Sequence, residues 1–353
     1  TTNSTLLFTL NIRVGTHTLI PRQVRYTSID TPSTSAHQFC TGIHDGSSSN
    51  FLHHCESLVS AAIHRRLTSI NDTFLLVPHH RTLLDSVDFD RKTPRFDVEK
   101  SAALAEGVKF LQQHGYAVFQ NVASHLDVRH CNDLFWKYMS RFNAREDDSS
   151  TWDSIPSNEY GIILQFGIGQ SELMWYVRTR PNVRKTFRAV WDTDDLITDF
   201  GGAVVFRPVS KKKWRTAEGW YHVDQNAASR PGLQTIQGSL VLTNQTKHTG
   251  GLIVLPGSWR HHNKLSKRAS IHWNTVNQPN NHFLLVPEND QIFKEIEPLF
   301  VAAEPGDLVL WDSRTVHCNT IGQSGRISQQ IESGDKEKEK EKEKEKEKEK
   351  EKE

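Results

Sequence analysis

The chain of 353 residues is long enough for one large domain with extensions or for two small ones. Only 36% of it is hydrophobic, below the usual globular share, so part of it stands outside a packed core. A formal net charge of +1 leaves no electrostatic footprint for nucleic acid or an anionic membrane, and no apolar run approaches the roughly 20 residues of a membrane helix.

Residues 1–95 show no sustained helical or strand period; short apolar pieces sit among Ser, Thr, His and Asn. This region is expected to be poorly ordered or peripheral. Its Thr-rich start carries Arg13, Arg22 and Arg25 before the first acid, Asp30, which keeps an organellar leader compatible with the sequence. The four cysteines, Cys40, Cys55, Cys131 and Cys318, form no C-x-x-C pair. Free thiols in a reducing, intracellular and by default cytoplasmic setting are the simplest reading.

A main domain is expected over 96–333. The spacing of Ala103, Leu104, Val108 and Leu111 predicts a helix over 99–113, stopped by His114-Gly115. Tyr116 to Val122 reads as a strand. Ser124, with Asp127 three residues on, reads as the cap of a second helix through Leu134, Phe135 and Tyr138. Beyond it, β-rich runs at 160–166, 203–207, 234–243, 251–255, 283–286 and 307–311 alternate with Gly and Pro turns, which suggests a sandwich or barrel. Residues 334–353 end in a Lys-Glu alternation that can bury no apolar face, and a solvated tail is expected.

Chemistry concentrates at Trp220-Tyr221-His222-Val223-Asp224-Gln225-Asn226. On a strand, His222 and Asp224 share a face and can form two corners of a metal site. Alone, H-x-D is weak: His125-Leu126-Asp127 repeats it, and there it reads as the cap and first-turn acid of a helix. The second half of the signal is Pro305-Gly306-Asp307, an apolar strand to Trp311, then His317 and, nine residues further, Arg326. His248, His261, His262, His272 and His282 are rival third ligands, but none is followed by a turn, a strand and an Arg; His261-His262 reads as solvent-facing. Two His and one carboxylate leave three positions open on Fe(II), and an Arg fork is suited to the far carboxylate of 2-oxoglutarate.

The segments WYHVDQN, RPGLQTIQGSLVLTNQTKHTGGLIVLPGSW and PGDLVLWDSRTVHCN together resemble the phytanoyl-CoA dioxygenase-like family of Fe(II)/2-oxoglutarate-dependent dioxygenases, over about residues 96–331. The resemblance implies a mainly β fold with flanking helices. Its core is a double-stranded β-helix of the jelly-roll or cupin kind, incomplete here at its C-terminal end, since family-like sequence stops soon after Arg326. It assigns metal ligation to His222, Asp224 and His317 and the 2-oxoglutarate carboxylate to Arg326. It also implies Fe(II) as cofactor, 2-oxoglutarate and O2 as co-substrates, and a small-molecule substrate. Trp259 stands where family members often have His.

Among the supporting residues, Gln237 is a candidate for co-substrate binding, and Gln165, Trp220 and Trp311 for substrate contact; each could equally be a core residue or satisfy backbone groups. Arg178 and Arg180 are expected to pair with acids of the 192–195 turn, Lys211 to Lys213 to form a solvated loop, and Cys318 to be an ordinary buried thiol. The function read is hydroxylation of an aliphatic C–H of a small or lipid-like molecule, releasing succinate and CO2. The rival reading is a catalytically inactive, shortened β-helix protein that serves as a binding module.

Overall fold

The computed structural model describes residues 83, 86–199, 201–208, 211–276 and 283–321, with 5–14 as backbone. Arg326, His282 and the Lys-Glu tail lie outside these residues, as does most of the region before residue 86.

Two sheets face each other. The larger has the strand order β2-β3-β12-β8-β1-β6-β4, with β5 also paired to β1. Its strands are β1 (Thr5–Val14), β2 (Arg95–Asp97), β3 (Tyr116–Gln120), β4 (Ile162–Ile163), β5 (Leu196–Thr198), β6 (Gly202–Phe206), β8 (Ile236–Val241) and β12 (Leu308–Asp312). The smaller runs β10-β7-β13-β9-β11, from β7 (His222–Val223), β9 (Gly251–Val254), β10 (Leu284–Leu285), β11 (Leu299–Phe300) and β13 (His317–Thr320). Pairing is antiparallel except between β2 and β3. Neither sheet closes into a barrel among the described residues, which gives an open double-stranded β-helix flanked by helices.

Alternation along the strands builds two cores. Val309 and Trp311 of β12, Val241 of β8 and Val204 and Phe206 of β6 point between the sheets, against Leu252, Val254 and Leu299. Leu308 and Leu310, Ile236 and Leu240, and Ala203 and Val205 point the other way, with period 2. That outer face is covered by α1 (Ser101–His114), α2 (His125–Met139), α3 (Glu172–Thr179) and α4 (Pro181–Trp191), through residues such as Leu104, Phe135, Val177 and Phe187. Gly238 of β8 belongs to this contact: a Cβ there would lie 2.7 Å from Leu310 Cδ2 and 2.9 Å from the Phe187 ring. No helix among the described residues is long and apolar enough to cross a membrane.

The first helix and the strand after it fall where the sequence places them, within one or two residues. Ser124 caps α2 in a reciprocal box. The Asp127 N–H donates to Ser124 Oγ at 3.1 Å, and the Ser124 N–H donates to Asp127 Oδ2 at 3.0 Å. Partial burial alone would raise the Asp127 carboxyl. Hydrogen bonds from Ser124, Tyr176 and Arg180 outweigh it and hold it at about 2, so its stabilising charge is present above the ordinary 3.8 and lost only as pH falls toward 2. Ser124→Ala is expected to cost about 1 kcal/mol in urea or thermal unfolding.

Three expectations are corrected. First, Thr5–Val14 does not stand at the periphery. It lies between β6 and β8, with Leu6 opposite Val205 and Asn11 opposite Gln237, because two sheet edges there need a strand whatever its own pattern. Second, helices α3, α4 and α5 (His262–His272) interrupt the stretch expected to be β, while 160–166 shrinks to Ile162–Ile163. Ser171 caps α3 and Pro181 opens α4 at its first turn, each fixing a helix start. Third, Arg178 donates to the carbonyls of Gly169 and Asp199, and Arg180 bonds Asp127; Arg188 is the residue that pairs with Asp194. In the 211–213 loop Lys213, 64% exposed as a solvated loop expects, lies 2.6 Å from Asp153, and Lys211 lies over the Trp214 ring.

Candidate metal centre

His222 opens β7, and the β13–β7 register sets His317 directly opposite it, so the two imidazoles stand side by side with centroids 4.2 Å apart. Val223 turns to the other face and Asp224 returns to the site. One ligand atom from each of His222, Asp224 and His317 lies within 4.8 Å of the other two, an arrangement able to hold a metal ion. Both His side chains are buried, while Asp224 is 26% exposed, which marks the open side.

The backbone fixes which nitrogens face inward. His222 Nδ1 lies 3.1 Å from the Trp220 carbonyl and His317 Nδ1 2.9 Å from the Thr315 carbonyl. A carbonyl only accepts, so each Nδ1 carries the proton and each Nε2 presents a lone pair toward Asp224, 3.6 and 3.3 Å from its oxygens.

Two residues of the large sheet reach across to these ligands. Gln237 and Trp311 are register partners on β8 and β12. Gln237 Nε2 donates to Asp224 Oδ2 at 2.8 Å, and Trp311 Nε1 donates to His317 Nε2 at 3.2 Å. Gln237 Oε1 is buried, with no hydrogen-bond partner among the described residues. Trp220 stacks on His222 at 4.5 Å and 6°, and Phe283 covers it at 4.7 Å. Three aromatic rings thus wall the metal ligands.

The two halves of the motif are tied together by residues that the sequence reading quotes without a role. Gln225 Nε2 donates to the Arg230 and Gly232 carbonyls, and its Oε1 accepts from Ser313 Oγ at 2.8 Å. The Asp224 N–H donates to the Ser313 carbonyl at 3.0 Å. Ser258, of the Pro-Gly-Ser turn, accepts from the Val316 N–H at 2.8 Å, one residue before His317. The bonds to Ser313 and Val316 were not legible because each spans tens of residues.

The rival ligands are elsewhere. His262 is buried, not solvent-facing: its Nε2 meets the Gln225 carbonyl, because α5 packs that residue behind the metal loop. His261 lies beside Glu295, and His248 and His272 are exposed. Gln165 is exposed in the loop after β4. Trp259 flanks Arg260 and Arg314. His125 and Asp127 begin α2, as the capping reading expects.

Burial pushes the His222 imidazole below its ordinary 6.5, and the neighbouring His317 adds to the effect. Burial alone would raise Asp224, but the facing imidazoles carry it well below 3.8. A divalent cation is a positive charge that would keep the carboxylate ionised. Because burial resists protonation of His222, its ring signals, followed by NMR from pH 7.5 to 5.5, are expected to titrate with a midpoint below 6.5. A midpoint at 6.5 or above would contradict this.

The sequence model for phytanoyl-CoA dioxygenase (PhyH) matches residues 111–320, more than half of the chain. The chain belongs to the phytanoyl-CoA dioxygenase family. It is 30% identical over 231 residues to "Ava biosynthesis cluster protein O" of Aspergillus versicolor, covering 62% of this chain and 74% of that one. It is also 30% identical over 130 residues to a "Putative phytanoyl-CoA dioxygenase" of Dictyostelium discoideum, covering 33% of this chain and 36% of that one. Among solved structures, EctD from S. alaskensis with 2-oxoglutarate and 5-hydroxyectoine aligns at a TM-score of 0.42 and 16% identity, over 69% of this chain and 77% of that one. As a phytanoyl-CoA dioxygenase family member with a complete His-Asp-His triad, the protein is an Fe(II)/2-oxoglutarate-dependent oxidoreductase.

Proposed function

We propose that the protein is a hydroxylase of an aliphatic C–H on a small, largely apolar or lipid-like molecule. The overall change is R–H + O2 + 2-oxoglutarate → R–OH + succinate + CO2. The observation that carries this reading is a buried two-His-one-carboxylate set walled by Trp220, Phe283 and Trp311.

His222, Asp224 and His317 are the residues proposed to hold Fe(II), whose three remaining positions serve the 2-oxo acid and O2 and supply the oxidising power. The donor set fits: two Nε2 lone pairs fixed by carbonyls, and a carboxylate oriented by Gln237. Keeping Asp224 as a ligand favours hydroxylation over halogenation, which frees that corner for a halide. The second Nε2 proton of Gln237 is the proposed polar contact to the co-substrate, and Arg326, nine residues past His317, the proposed partner of its far carboxylate. The three rings position an apolar C–H and exclude water, so only ligands that bring their own polar groups lie comfortably at the metal. Trp220 and Trp311 are the proposed substrate walls; Gln165 is proposed only for the outer path to the site. An intracellular, cytoplasmic location accompanies this reading.

The test is stoichiometric. Purified full-length chain given Fe(II), ascorbate and 2-oxoglutarate is expected to release succinate, and with 18O2 and a metabolite extract to place one labelled oxygen in a single product. Failure to bind iron, together with no succinate, would sink the reading. Label-free product with succinate formed would retain the oxidase but reject hydroxylation.

A further inference from the structure

Trp311 makes an unusual bond. Its indole N–H, buried at 6% exposure, donates to His317 Nε2 at 3.2 Å. Because His317 Nδ1 carries its proton toward the Thr315 carbonyl, Nε2 has one lone pair. That lone pair is also the one His317 offers to a metal. It cannot serve both. Metal binding therefore strips the indole N–H of its acceptor in a place with little access to water, where an unsatisfied donor is costly.

The candidates for a new acceptor are few. Gln237, directly opposite on β8, gives its Nε2 to Asp224, and its neutral amide Oε1 is a protein acceptor without a partner among the described residues; the rings of Trp220 and Phe283 offer no lone pair. An N–H within 3.2 Å of a ligand nitrogen already stands at the edge of the coordination sphere. A carboxylate oxygen of a metal-chelating 2-oxo acid, being anionic, would be a stronger acceptor for the freed N–H than a neutral amide oxygen.

We propose that Trp311 is a positioning residue that exchanges acceptors: its indole N–H caps His317 in the metal-free protein and turns to the coordinated carboxylate of 2-oxoglutarate once the metal is bound. The inference rests on the metal-site reading above. It has two consequences of opposite sign. The cap competes with the metal, so Trp311 weakens metal binding when no co-substrate is present. The freed N–H then strengthens co-substrate binding to the loaded protein.

The experiment uses the full chain with 15N-labelled indoles, which gives nine tryptophan N–H signals, and Zn(II) as a diamagnetic ion. The Trp311 signal, assigned by its absence from Trp311→Phe, is expected to move upfield on adding Zn(II) and downfield again on adding 2-oxoglutarate. By titration, Trp311→Phe is expected to bind Zn(II) roughly three- to ten-fold more tightly than the wild type, and 2-oxoglutarate on the Zn(II)-loaded protein roughly ten-fold more weakly. A packing role alone would weaken both or neither, and either result overturns the proposal. The wild-type signal needs no folded variant: if Zn(II) binds and that signal stays still through both additions, the exchange does not occur. If the wild type binds no metal at all, the site reading fails and this inference with it.

Discussion

His317→Ala is expected to abolish iron binding and succinate formation together, with the fold retained. Loss of one hydrogen-bonding partner of a ligand already costs roughly 10- to 100-fold in metal affinity, and loss of the ligand itself should exceed that. The comparison that gives the result meaning is His125→Ala. Both histidines belong to or answer an H-x-D signal, but His125 sits exposed on the first turn of α2, where Asp127 closes a cap. Its variant should bind Mn(II) with unchanged affinity by calorimetry and turn over at the wild-type rate. Equal losses in the two variants would mean that the triad is not the metal site.

The largest expected effect on stability comes from Arg95. Its guanidinium grips the buried Asp307 carboxylate through Nε at 2.8 Å and Nη2 at 2.9 Å and also reaches Glu304. Asp307 is 1% exposed and begins the turn into β12, so it holds the strand that carries Trp311. Arg95→Ala leaves that carboxylate buried without its cation, with the Glu304 N–H still donating to it, which typically costs about 3–5 kcal/mol and, for a domain of this size, lowers the melting temperature by roughly 10 °C. The pH dependence identifies the cause. Burial pushes Asp307 above its ordinary 3.8 even with Arg95 opposing it, and without Arg95 it should rise further. A raised carboxyl binds more protons folded than unfolded, so its penalty is absent at low pH and grows as pH rises through the folded value. The variant should therefore regain stability from pH 7 toward pH 5, and Asp307→Asn on the Arg95→Ala background should recover much of the loss at pH 7. A deficit independent of pH would point to lost packing of the arginine stem.

Much of the site was legible because strand geometry has a period of two. His222 and Asp224 had to share a face, and the Pro-Gly turn before β12 announced a strand leading to His317. The cap at Ser124 was legible for a similar reason, since its chemistry is complete within four residues. What the sequence hid is what depends on contacts between distant segments. Phe283 against His222, Gln225 against Ser313 and Ser258 against Val316 have no local signature. Arg178 lies in the last turn of α3, Arg180 at its junction with α4 and Arg188 in α4, and sequence proximity to the 192–195 acids could not say which one reaches them. Helix α4 was readable in principle, with Pro181 opening it and Val183, Phe187 and Val190 on one face. The Gly and Pro turns around it drew the reading toward β.

The position of β1 has a consequence for how the chain is made. Thr5–Val14 is made before its partners on β6 and β8, which follow roughly two hundred positions later, and the order of synthesis cannot supply them sooner. The large sheet therefore closes across a loop of roughly two hundred residues, a topology that folds slowly. Until it closes, β6 and β8 face one another across an empty slot with open hydrogen-bonding edges. The nascent protein is then at its most adhesive, and a holding chaperone at that stage should improve its yield more than any change at the metal.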